Sequence, residues 1–83
     1  MTVTNAIKKL AGAGYTVTDN HGCFSAVLPD SPNIIEFCRN GGSEDVTSIR
    51  VRSRNDHDDV TTGYYAGIFM DNLSKAIRFA KRP

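Results

Sequence analysis

Arg50, Arg52 and Arg54 stand at every second position of the stretch "RVRSRNDHDD", and Asp56, Asp58 and Asp59 follow around His57. Alternate residues of an extended strand share a face about 6.6 Å apart, so the three guanidinium groups form a ladder able to meet phosphates or carboxylates. The aspartates and the histidine are residue types of a metal loop, but their spacing does not fit one. Counted from Asp56 against a calcium-binding EF-hand loop, Val60, Thr61 and Gly67 fall where a third ligand, the turn glycine and the bidentate glutamate belong. No metal is expected, and Asp56 to Asp59 read as a solvated turn that balances the arginine charge.

His21 and Cys23 are the other residues that suggest chemistry, because a thiol two positions from an imidazole can be an activated nucleophile. No third orienting group or oxyanion hole accompanies them. Serine-hydrolase, Walker and dinucleotide motifs are absent, and the glycines at 12 and 14 close a helix instead of following a strand. The chain is expected not to be an enzyme and to need no cofactor.

The elements that must position these residues follow from periodicity. Val3, Ile7 and Leu10 recur at helical spacing over Thr4 to Ala13, with Thr2 or Thr4 as cap and Gly12 and Gly14 as the stop. From Tyr15 the period becomes two, through "YTVT", "CFSAVL" and "IIEFCR", separated by the turns "DNHG" and "PDSPN". A turn around Asn20 sets Val17 opposite Phe24, and one around Ser31 sets Phe24 opposite Phe37 and Ala26 opposite Ile35. After "NGGSED", the segment "VTSIRVRSR" alternates again, placing Ile49 and Val51 on the apolar face and Glu36 near Arg50 on the other. The same register brings Cys23 almost opposite Cys38, with reduced thiols as the default for two cysteines in a cytoplasmic chain.

A closing helix starts at Asp71 as cap and carries Met70, Leu73, Ile77 and Ala80 as its stripe, with Lys75, Arg78, Lys81 and Arg82 elsewhere. The segment "TTGYYAGIFM", Thr61 to Met70, is either a short fifth strand or a packed loop. Phe69 and one of Tyr64 and Tyr65 are assigned to the core, leaving the other tyrosine as an exposed anchor. The sum is one domain, residues 1–83, of the α+β class: a two-layer sandwich with an N-terminal helix, an antiparallel sheet of three to four strands and a C-terminal helix.

Composition narrows the function classes. The 83 residues leave room for one modest core. Ten basic and nine acidic side chains give a formal charge of +1, which exerts no global pull on nucleic acid or membranes. No apolar run approaches the roughly 20 residues of a membrane span, and no signal-peptide layout opens the chain, so a cytoplasmic protein, monomeric or a small homo-oligomer, is expected.

Two resemblances enter at this point. The helix, strands, helix order looks like that of the double-stranded-RNA-binding domain, but the final helix opens "DNLSKA" where that family has a lysine-rich phosphate grip. Residues 49–80 resemble small accessory proteins of bacteriophages and mobile elements, and the accessory domains of large phage polyvalent proteins. The shared features are the arginine-bearing strand, the "ND.DD" turn, the "Y.AG.F" element and the "NL..AI" helix, and the early "AGAGYTV" fits the same pattern. That resemblance implies a non-enzymatic phage protein, made in a bacterial host cytoplasm, that binds and blocks a host protein or protein complex in the manner of anti-CRISPR proteins. Its contact residues would be Arg50, Arg52, Arg54, Asp56, His57, Asp58, Asp59 and Tyr64. The alternative is weak nucleic-acid binding through Arg50, Arg52, Arg54, Lys75, Arg78 and Arg82, although the open sheet face lacks the aromatic platform on which RNA-binding sheets stack bases.

Overall fold

A computed structural model describes residues 1–81. The chain runs α1 (Val3–Gly12), β1 (Thr16–Asn20), β2 (Cys23–Val27), β3 (Asn33–Arg39), β4 (Val46–Ser53), β5 (Ile68–Phe69) and α2 (Leu73–Ala80). The strands form one antiparallel meander in the order β1-β2-β3-β4-β5, so the fold is the expected α+β sandwich with five strands instead of three to four. The fifth comes from "TTGYYAGIFM", where only Ile68 and Phe69 pair with β4.

Alternation places Phe24, Ala26, Ile35, Phe37, Ile49 and Val51 on one face, where they meet Val3, Ala6 and Leu10 of α1 and Leu73, Ala76 and Ala80 of α2. Phe24 and Phe37 stack at 4.9 Å between ring centroids, as their facing register requires. Alanines at 6, 76 and 80 keep the helices close to the sheet. The α2 stripe therefore differs from the expected one: Ala76 is buried while Ile77 and Met70 pack at its margin.

Three local details correct the sequence expectation. The first hairpin turns on His21 and Gly22, both at positive φ, so Val17 faces Ala26 and Asp19 faces Phe24. A two-residue turn with both central residues in that region matches the right-handed twist of the strands it joins. Asn72, not Asp71, caps α2, with its side-chain oxygen accepting from the Lys75 amide at 2.9 Å, while Asp71 pairs with the Lys75 ammonium at 3.2 Å. Finally, Cys23 and Cys38 stand directly opposite, 4.1 Å apart at Cα, and are joined as a disulfide where reduced thiols were expected. The Gly22 carbonyl accepts from the Arg39 amide, which makes the next pair, Cys23 and Cys38, a non-hydrogen-bonded pair whose side chains approach closely.

Other contacts lock the helices in place. Thr2 caps α1 by accepting from Asn5, and the Val3 amide donates to the Glu44 carbonyl at 2.7 Å, tying the N-terminus to the lead into β4. At the far end, the Asn33 side-chain amide donates to the Ala80 carbonyl at 3.1 Å and Ser31 donates to it at 3.4 Å, so the loop between β2 and β3 closes α2.

Candidate functional site

The sheet face away from the helices carries the arginine ladder. Arg50 and Arg52 of β4 flank Glu36 of β3, and both Nε atoms donate to the same Glu36 oxygen, at 2.9 and 2.7 Å. The three side chains are only 14 to 18% exposed, so the ladder is not a free cationic surface. Part-buried charges persist only when paired, and here one carboxylate serves two guanidiniums.

The remaining guanidinium groups hold the loop that follows β4. Arg50 Nη1 donates to Asp58 at 2.8 Å and to the Ala66 carbonyl at 3.2 Å, and the same Asp58 oxygen accepts from the Ala66 amide at 2.8 Å. Arg52 Nη1 donates to the carbonyls of Asp56 and Ser53, and Arg54 donates to the Leu28 carbonyl. Asp56 accepts from the Tyr64 hydroxyl at 2.7 Å, and Asp59 and Tyr64 exchange both backbone hydrogen bonds at 2.9 Å. The loop is thus a small hairpin, stitched by its own acids onto the arginines that precede it.

Electrostatics follow that geometry. The hydrogen bond from Arg50, then that from the Ala66 amide, holds the Asp58 carboxyl below the ordinary carboxylate range. The hydrogen bond to Asp58 in turn raises Arg50. Asp59 is lowered by the Thr61 amide, and Tyr64 is raised by its hydrogen bond to Asp56. Asp58 thus balances Arg50 directly, in line with the charge-balance reading of the turn, while the Asp56 carboxylate is taken up by the Tyr64 hydroxyl. No three His, Cys, Asp or Glu side chains among the described residues gather where they could hold a metal ion.

Ala66 is fully buried, and Gly67 brings the chain back against β4 with φ of 86°. A Cβ at Gly67 would collide with the Val51 carbonyl oxygen and crowd Arg52 Cβ, so no side chain fits there. On either side of this crossing the large side chains point outwards. Val60 is 85% exposed, Tyr65 65%, Phe69 61%, Ile68 51% and Tyr64 47%. Phe69 and both tyrosines thus stay outside the core, contrary to the assignment of Phe69 and one tyrosine to it. Phe69 pairs with Arg50, which aims it at the face that has no helix layer.

The residues of the nucleic-acid alternative are split. Arg50, Arg52 and Arg54 are engaged on or beside the open face, whereas Lys75 and Arg78 are exposed on α2 in the opposite layer. Arg82 lies outside the described residues. His57 is exposed at the loop surface. His21 is exposed at the first turn, and the Cys23 beside it carries no free thiol. No helix among the described residues is long and apolar enough to cross a membrane.

No family model, curated protein or solved structure matches this chain. Function is accordingly read from the chain's own residues. Sequence reasoning missed the exposure of Val60, Tyr65, Ile68 and Phe69, and Glu36 as the carboxylate shared by Arg50 and Arg52. The signal was the run "YYAGIFM", whose bulky residues have no polar alternates to turn towards solvent.

Proposed function

We propose that the protein is a non-enzymatic binding module that sequesters or inhibits a host protein through the loop and edge strand from Val60 to Phe69. The observation that carries this reading is the concentration of exposed apolar side chains in one short segment. Met1 apart, every exposed large hydrophobic among the described residues lies in those ten positions. Large apolar side chains left exposed on a small domain are candidate interaction anchors, and aromatic residues dominate the energetics of such sites. The network of Glu36, Arg50, Arg52, Asp56 and Asp58 supports the reading by fixing the loop in advance, which lowers the entropy lost on binding. In this reading Asp59 and Tyr64, paired with each other, supply polar contacts in the same loop, and Arg50 and Arg52 act as scaffold. The resemblance of residues 49–80 to phage accessory proteins supports a phage-type role of the anti-CRISPR kind in a bacterial cytoplasm.

The test is capture from bacterial lysate with tagged protein, with and without nuclease, compared with a Tyr65→Ser/Phe69→Ser variant. A stoichiometric protein partner that survives nuclease and is lost with the variant is expected. Material that disappears with nuclease would transfer the function to nucleic acid, and a partner retained by the variant would move the site elsewhere. Replacing all three arginines by glutamate is a poor test, because it places new acids beside Glu36 and disturbs the loop itself.

A further inference from the structure

We infer that Asn40 is a self-modification site, at which the Gly41 amide nitrogen closes on the Asn40 side chain and converts it to isoaspartate. Asparagine is chemically labile. It loses ammonia in this way when its side-chain amide and the next backbone amide are both free to meet, and fastest when the next residue has no side chain to shield its amide. Of the six asparagines, Asn40 alone meets these conditions. Asn20 donates its side-chain amide to Ser25 and Asn33 donates to the Ala80 carbonyl, both at 3.1 Å, while the Asn72 side chain caps α2. After Asn5, the Ala6 amide donates to the Thr2 carbonyl at 3.0 Å, and after Asn55 the Asp56 amide donates to the Ser53 carbonyl at 3.1 Å. Each of these bonds holds one of the two reacting groups. Asn40 and Gly41 instead lie exposed just beyond β3, and among the described residues neither the Asn40 side chain nor the Gly41 amide has a hydrogen-bond partner. Gly41 has a φ of 57°, and nothing lies within 4 Å of where its Cβ would stand, so no neighbour shields the amide from that side.

In the step, hydroxide removes the proton from the Gly41 nitrogen, which then bonds to Asn40 Cγ. The bond from Cγ to Nδ2 breaks, and the leaving nitrogen takes a proton from water and departs as ammonia. Water next opens the cyclic imide. Attack at Cγ gives aspartate, whereas attack at the main-chain carbonyl carbon gives isoaspartate, in which the chain continues through Cγ. No oxidant or reductant takes part, and the protein gains one negative charge. In isoaspartate the carbonyl that accepts from the Ser43 amide at 3.0 Å becomes a free carboxylate. The turn remade in this way leads to Glu44, whose carbonyl accepts from Val3 of α1 and whose carboxylate pairs with Arg39 at 3.5 Å. The modification therefore falls on the segment that fastens the N-terminal helix.

This inference is independent of the partner-binding reading, and its test needs no partner. The folded protein is aged at mildly alkaline pH and mapped by mass spectrometry, and isoaspartate is read as methyl acceptance from labelled S-adenosylmethionine with a protein isoaspartyl methyltransferase. Conversion of amide to acid is expected at Asn40 several-fold faster than at any other asparagine, faster still as pH rises, and with isoaspartate among the products. Asn40→Gln, which leaves Gly41 at its positive φ, should abolish methyl acceptance. Gly41→Ala, whose methyl group shields the amide, should slow conversion several-fold while circular dichroism is unchanged. Conversion first at another asparagine, aspartate formed without isoaspartate, or methyl acceptance that persists in Asn40→Gln overturns the assignment.

Discussion

On one side of the sheet, Phe24, Ala26, Ile35, Phe37, Ile49 and Val51 meet two helices, and among the described residues no charged side chain is buried in that core. On the other side, the alternate residues of the same strands carry a disulfide, a carboxylate shared by two guanidiniums, and a loop folded back over β4. The covered face is held by apolar area removed from water, a non-directional force that tolerates exchange of one hydrophobe for another of similar size. The open face is held by pairs, where removal of one partner strands the other. The difference explains why the exposed aromatics occur where they do: the helix layer needs its large side chains inside, whereas the ion-paired layer can fix a backbone while leaving side chains free.

The largest effect should come from the covered face. Phe37→Ala removes a ring that is 1% exposed and stacked on Phe24, and is expected to cost about 3–5 kcal/mol in urea unfolding, a large part of the stability of a domain this small. Glu36→Ala should cost less, about 1–3 kcal/mol, because it leaves two part-buried guanidiniums facing each other with no carboxylate between them. If the two losses proved equal, the contrast between the faces would fail.

Acid should act on the open face first. Asp58 keeps its charge in the folded protein to a lower pH than in the unfolded chain, so its contribution is complete above roughly pH 4 and is lost as pH falls through its depressed value. Loop resonances from Asp56 to Ala66 in an NMR pH titration should therefore shift before those of Phe24 and Ile35. The smallest effect on stability belongs to the exposed pair. Tyr65→Ser/Phe69→Ser should change unfolding by no more than about 0.5 kcal/mol per site while removing partner capture, which separates a binding role from a structural one.

How far the sequence could be read follows the same division. The register of β2, β3 and β4 was legible because three long alternating runs share one apolar face, and with it came the Phe24–Phe37, Glu36–Arg50 and Cys23–Cys38 neighbours. The first turn was misplaced because His21 takes a positive φ that its side chain does not advertise. Asp71 and Asn72 are both capping residues, and local sequence does not choose between them. The candidate site was harder to read. Arg52 joins Glu36 diagonally, and Asp58 reaches Arg50 only because Gly67 lets the chain pass against β4. Phe69 looked like core because its type is apolar; its exposure follows from a two-residue edge strand that pairs it with Arg50, on the face no helix covers.

The central claim is that the charged network exists to hold the loop in place, and amide hydrogen exchange of the wild type and Glu36→Ala tests it most directly. The amides of Tyr64 and Ala66, bonded to the Asp59 carbonyl and the Asp58 carboxylate, should be protected in the wild type. In the variant they should exchange much faster, while those of β1 to β3 keep their order of protection. Rapid exchange at Tyr64 and Ala66 in the wild type, or equal protection in both proteins, would contradict the claim and leave the arginines free for another role.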